Sequence, residues 1–310
     1  MSPVGAAAAA IAALLYGSAY VATAIALDGY SPAGIGVWRG IFGIVVLAAL
    51  LSLPGMREQR PRHLTRAAVV RLAVLGTVGG GVFILAVNAA VALSGATVTA
   101  FVAGLYAVLA SVLAIPLLGE RIERRLILAL FGAFLGTLLL SDLQAAASAG
   151  GIALGLLAAS AFSLFLVLSR RWGEPHRLTG PTVGLASLGI SAVASAVVAG
   201  IDGSLLPEDP TPAASAAVAW IAAGPGAAAS VLVVVGMRRL PARHAGLFLL
   251  LNPPTAAILG YAVLGERLEF SQIVGAVLVL AAIGLATVVR STRTASRRSS
   301  PPGSAPPTRS

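Results

Sequence analysis

The chain has 310 residues, of which 58% are hydrophobic and only 10% charged, whereas a soluble domain carries roughly 25% charged residues. Too little polar surface remains to cover a water-facing globule, which excludes a soluble enzyme or binding module. The net charge of +10 does not mark a nucleic-acid binder, because the arginines lie in short clusters between apolar runs.

Ten apolar segments follow in chain order, at 5–27, 33–53, 68–90, 97–118, 124–141, 150–170, 179–200, 213–236, 243–264 and 271–290. About 20 apolar residues cross about 30 Å of hydrocarbon as a helix. Backbone polar groups in lipid have to be paired within the segment, and barrel strands are only about 10 residues long. The expected fold class is therefore all-α integral membrane, with ten transmembrane helices. The first segment has no basic n-region and exceeds the apolar core of a signal peptide, so it reads as a retained helix.

The loops supply orientation. Arg57, Arg60, Arg62 and Arg66 fall on one side, with Arg121, Arg124, Arg125, Arg170, Arg171, Arg177, Arg238, Arg239 and Arg243. The other side receives Arg267 alone, with Asp28, Asp142, Asp202, Glu208 and Asp209. Arginine-rich short loops stay in the cytoplasm, so both termini of a ten-span chain are expected there, in a cytoplasmic membrane. The tail, 291–310, is polar, basic and proline-rich. It is expected to be disordered, with Arg290, Arg293, Arg297 and Arg298 near anionic lipid.

The phrase "LLGERIE" at 117–123 returns as "VLGERLE" at 263–269, an offset of 146. At that offset Tyr16-Gly17-Ser18 falls on Phe162-Ser163-Leu164, Gly79-Gly80 on Pro225-Gly226, and Tyr106 on Asn252. Five segments match five, giving one repeat over 1–145 and a second over 146–290. Five is odd, so the second copy enters the membrane the other way up, as in secondary transporters built from inverted repeats. Within the phrase, Gly119 and Gly265 are expected to end helices in the left-handed conformation. Glu120 and Glu266 are then expected to open the next helices, where the dipole stabilises a carboxylate by about 0.3–1 kcal/mol. A gating or ion-coupling role is the other reading of these glutamates.

Taken together, ten spans in two halves, each closing its fourth helix with "LGER", resemble the EamA-type transporters of the drug/metabolite transporter superfamily. "LYGSAYVATAIAL" resembles that family's tryptophan-glycine-serine opening, with Tyr16 in place of tryptophan. Trp38-Arg39 resembles its arginine-bearing second span. "NPPTAAILGYAVLGERL" resembles its ninth span, with Pro253 or Pro254 at the family's proline. The fourth span departs from the pattern: Ala107-Val108 stand where a proline is expected, and Pro116 lies lower. The resemblance covers 5–290 and implies transport of small metabolites without ATP, usually export.

Helices loosened at matching places in two halves point to a transport site. Gly79, Gly80 and Gly81 lie mid-span in the third segment, and Gly224, Pro225 and Gly226 at the matching place in the eighth. Close packing of small residues is the alternative reading. Asn252 near the bilayer centre needs a cavity or a partner, since a bare amide in hydrocarbon is costly. With its repeat mate Tyr106 and with Tyr16, Tyr20, Phe162 and Ser163 it forms the candidate substrate site. Arg39 either serves function inside the membrane or snorkels toward Asp28. Thr99, Ser111, Ser160, Ser230 and Thr255 are weaker candidates, because such hydroxyls often bond their own helix.

No carboxylate lies mid-span, there is no phosphate-binding "GxxxxGKS" loop, and His244 stands at a span end, away from any serine pair. The chain therefore reads as no enzyme, with no cofactor and no metal, and without cysteine it holds no thiolate site. The expected partners are a small-molecule substrate, such as an amino acid or related compound, and membrane lipid. A non-transporting scaffold or sensor is the alternative, though neither needs two-state symmetry.

Overall fold

Hydroxyl caps and prolines fix where the helices begin. Ser31 accepts from the Gly34 amide at 2.8 Å just ahead of Pro32, and Thr211 from the Ala214 amide at 3.1 Å just ahead of Pro212. Thr65 caps its helix through Ala68, and Thr179 through Thr182. Each cap satisfies a donor that the first helical turn leaves orphaned. Thr65 and Thr211 stand at the repeat offset, so the third and eighth segments start on the same device.

The structure is a computed structural model. It describes residues 3–53, 64–119, 124–140, 149–172, 178–232 and 251–298, and all regular elements among them are helical. They are α1 (Pro3–Ala26), α2 (Pro32–Ser52), α3 (Arg66–Gly76), α4 (Phe83–Ser94), α5 (Ala96–Gly104), α6 (Tyr106–Leu118) and α7 (Arg124–Leu140). Next come α8 (Ala149–Trp172), α9 (Gly180–Ile201), α10 (Pro212–Ile221), α11 (Asn252–Leu259) and α12 (Phe270–Arg298). Seven continuous helices among the described residues are long and apolar enough to cross a membrane. Two shorter apolar stretches, Ile127–Leu139 and Phe270–Leu285, lie in the fifth and tenth segments. The first part of the ninth segment, with Arg243 and His244, lies outside the described residues. α12 runs to Arg298, past residue 290, where the last segment was expected to end.

Among the described residues, three π-helical turns interrupt the α-helices. Thr77–Val82 joins α3 to α4, Ala222–Ala228 continues α10, and Gly260–Leu264 continues α11. The first two fall at the repeat offset, over the glycines and Pro225. A second matched irregularity separates α5 from α6 at Leu105, with ψ −11°, and precedes α11 at Leu251, with ψ −18°. The fourth span lacks the family's mid-span proline, with Ala107-Val108 in its place. That span is broken without a proline at the position where the ninth begins its proline-led helix.

Packing couples the two halves throughout. α1 packs on α10 and α11, and α8 packs on α4 and α6; α2 packs on α9, and α7 on α12. This pairing is unchanged when the halves are exchanged. Lipid supplies no hydrophobic drive between helices, so close van der Waals fit has to hold them. Small residues provide it. A Cβ placed on Gly40 would lie 2.7 Å from the Leu188 carbonyl oxygen, and one on Gly80 would lie 2.0 Å from that of Ser187.

Candidate substrate cavity

The matched irregularities surround one internal cavity of about 180 Å³, smaller than the 300–1,000 Å³ of typical drug-sized sites. Tyr16 and Tyr20 enter it from α1, Arg39 from α2, Tyr106 from α6, Phe162 from α8 and Asn252 from α11. Gly79, Gly80, Pro225 and Gly226 from the two π turns complete the wall. Gly79 and Gly80 line the cavity and are also closely packed, since a Cβ on Gly79 would strike the Phe165 ring and one on Gly80 the Ser187 carbonyl.

Phe162 is the centre of the aromatic wall. Its ring meets Tyr106 edge-on at 4.9 Å, Phe83 at 4.8 Å and Phe165 at 5.4 Å between centroids, separations at which aromatic pairs attract beyond simple burial. Tyr106 and Phe83 belong to the first half and Phe162 to the second. The repeat mates Tyr106 and Asn252 touch: Asn252 Nδ2 donates to Tyr106 Oη at 3.4 Å, and Asn252 Oδ1 is buried with no partner among the described residues.

Not every expected residue faces the cavity. Ser163 is fully buried and donates to the Ser160 carbonyl at 2.7 Å. Gly224 turns toward Leu15 and Trp220. Pro253 packs on Gly104, so it shapes the crossing of α11 over α5, and Pro254 is half-buried. Arg39 lines the cavity, with its Nε buried. Ser111, Ser160, Ser230 and Thr255 donate to carbonyls of their own helices, as such residues commonly do.

Sequence reasoning missed Asn88, Phe83, Ser187 and Ser191, all of which line the cavity. Asn88 had a readable signal, since an amide amid apolar residues needs a partner just as Asn252 does. It donates to the Pro32 carbonyl at 3.0 Å, tying α4 to the start of α2. A second, more open groove of about 390 Å³ lies among Leu14, Ser18, Trp220 and Ile258. No charged group among the described residues lines it, so it suits an apolar contact rather than a polar solute.

The repeated charged phrase divides. Gly119 and Gly265 both end helices at positive φ, 69° and 67°. Glu120 lies outside the described residues. Glu266 departs from its expected place: it does not open its own next helix but caps α5 in the other half. Its carboxylate accepts from the Ala96 amide at 2.8 Å, the Thr97 amide at 3.0 Å and the Thr97 hydroxyl. The dipole argument holds, but for a helix about 170 residues away. Gly95 and Gly260 make room, since a Cβ on either would press on the carboxylate.

The EamA-like transporter family matches residues 3–142 and again 149–288. The chain belongs to that family. The EamA matches begin and end 146 residues apart, and the apolar helices make this a multi-pass membrane protein. An uncharacterized transporter of Archaeoglobus fulgidus is 28% identical over 190 residues, 58% of this chain and 64% of that relative. The chain thus spans just under two thirds of that relative's length. An uncharacterized transporter of Bacillus subtilis, YyaM, is 24% identical over 265 residues, 82% of this chain and 84% of the relative. A solved crystal structure superposes with a TM-score of 0.65 over 96% of this chain and 99% of its own, at 20% identity, and shows the EamA chain's fold alone.

Proposed function

We propose that the protein is a secondary transporter that exports a small polar or amphipathic metabolite across the cytoplasmic membrane by alternating access. In this reading all ten segments span, both termini are cytoplasmic, and the two halves are inverted copies. The observation that carries it is the placement of π turns and helix breaks at matched positions around one cavity. Broken helices free backbone groups where a solute passes, and π turns gather at functional sites. Substrate contacts centre on Tyr16, Tyr106, Phe162 and Asn252, which stay near the axis while the halves rock around them.

Several contacts join the halves. Ser31 Oγ donates to the Ser204 carbonyl at 3.2 Å, and the Glu208 amide donates to the Gly29 carbonyl at 2.9 Å. With ten spans these contacts and the Glu266 cap share the outer end, where they form a gate. The test is solute flux into liposomes containing purified protein, screened over metabolites and gradients. Flux of a defined solute that Asn252→Ala diminishes supports the reading. No flux in any gradient, with specific capture of a membrane partner, favours a scaffold.

A further inference from the structure

On the α2–α9 side of the cavity, Arg39 Nε and the hydroxyls of Ser187 and Ser191 are buried without a hydrogen-bond partner among the described residues. Among the described residues, Arg39 is the only charged one lining the cavity, and no aspartate or glutamate lines it. A cation inside a membrane protein ordinarily pairs with a carboxylate or with carbonyl oxygens. Serines in apolar helices ordinarily donate to their own helix, as Ser111 and Ser230 do here. Ser187 and Ser191 do neither. Arg39 also stands between two points of close α2–α9 contact, Gly36 on Ser195 and Gly40 on Ala192. The donors of this wall are therefore held by packed backbone rather than by a loop.

We infer that the cavity selects a small organic monoanion. A carboxylate lies against Arg39, Ser187 and Ser191, and a flat apolar or aromatic body lies against Phe162. The inference rests on the proposal that this cavity is the substrate site. It also narrows that proposal. An amino-acid zwitterion would bring an ammonium group into a cavity that already holds one cation and, among the described residues, offers no counter-charge. Asn252 Oδ1 supplies one neutral acceptor, which suits a hydroxyl or phenol on the far end of the anion.

The experiment uses the full-length protein in lipid nanodiscs and four probes of one shape, titrated calorimetrically: 4-hydroxyphenylacetate, its neutral amide, tyrosine and tyramine. The expected result is that the anion binds about 10- to 100-fold tighter than the amide, in line with hydrogen bonds to a charged donor. Tyrosine and tyramine bind more weakly than either. Arg39→Gln brings the anion-to-amide ratio close to one, and Arg39→Lys restores part of it. Amide binding by Arg39→Gln doubles as evidence that the variant is folded. Equal binding of all four probes, preference for tyrosine or tyramine, binding of none, or an unchanged ratio in Arg39→Gln each overturns the inference. Asn252→Ala and Tyr106→Ala separate the two readings. If they weaken whichever probe binds while Arg39→Gln does not, the cavity stands and the anion assignment falls. If a probe binds and all three variants leave it unaffected, the cavity itself is not the binding site.

Discussion

Asn252 is the residue whose surroundings make the sharpest demand. Its amide nitrogen reaches Tyr106 and its oxygen has no partner among the described residues, yet an unpaired buried acceptor costs about 1–3 kcal/mol. Asn252→Ala removes that demand along with one contact to the proposed substrate. The expected outcome is an apparent affinity weakened about 3- to 10-fold, from the roughly 0.5–1.5 kcal/mol of a neutral hydrogen bond. Membrane insertion and melting midpoint stay near the parent's, and normal substrate binding by the variant removes Asn252 from the site. The sequence exposed this residue because an amide has no bland place in hydrocarbon. Ser187 and Ser191 carried no such signal: a membrane serine usually bonds its own helix, and only the facing of α9 toward the cavity sets these two apart.

At the scale of elements, Glu266 joins the end of α11's π turn to the start of α5. Three donors converge on it, so Glu266→Ala leaves two backbone amides of α5 without their acceptor. A loss of about 2 kcal/mol is expected, read as a drop of roughly 4–8 °C in the melting midpoint. Glu266→Gln keeps an acceptor and falls less. Gly260→Ala reproduces the larger drop with Glu266 itself unchanged, because its Cβ would lie 2.5 Å from Thr97 Oγ1 and 2.7 Å from Glu266 Oε2 and push the carboxylate off its donors. Should Glu266→Gln instead abolish a pH-driven flux with its midpoint unchanged, the glutamate is a coupling residue and not a cap.

Element ends were largely legible, because lipid sets span length and because threonine and proline announce helix starts. Thr211→Ala is accordingly expected to cost about 1 kcal/mol in thermal unfolding, and Thr211→Ser much less. The break at Leu105 was not legible, since Gly104 beside it reads equally well as a small packing residue inside a membrane helix. It coincides with the crossing of Pro253 onto Gly104, a tertiary contact that no local pattern contains. The partner of Glu266 was hidden for the same reason: the nearest helix start in sequence was the wrong one.

For the whole molecule, the pairing of every first-half helix with a second-half helix means that neither half is expected to be stable alone. The proposed topology has a clean test, because the chain contains no cysteine to remove. A single cysteine at Ser204 is expected to react with a membrane-impermeant maleimide added outside intact cells. Labelling only after the cytoplasmic side is opened would reverse the orientation.

The paired π turns also carry a history. Each holds its backbone in a wider coil than the flanking α-helix, which takes an extra residue per turn. The repeat offset is 146 both before them, at Thr65 and Thr211, and after them, at Tyr106 and Asn252. No residue was therefore gained or lost by one copy alone across this stretch. If the two halves descend from one gene, the extra residue was already present in the single-repeat ancestor. Deleting a single residue from 77–82 today would rotate α3 by about 100° against α4, turning away a face whose mate in the other half stays fixed.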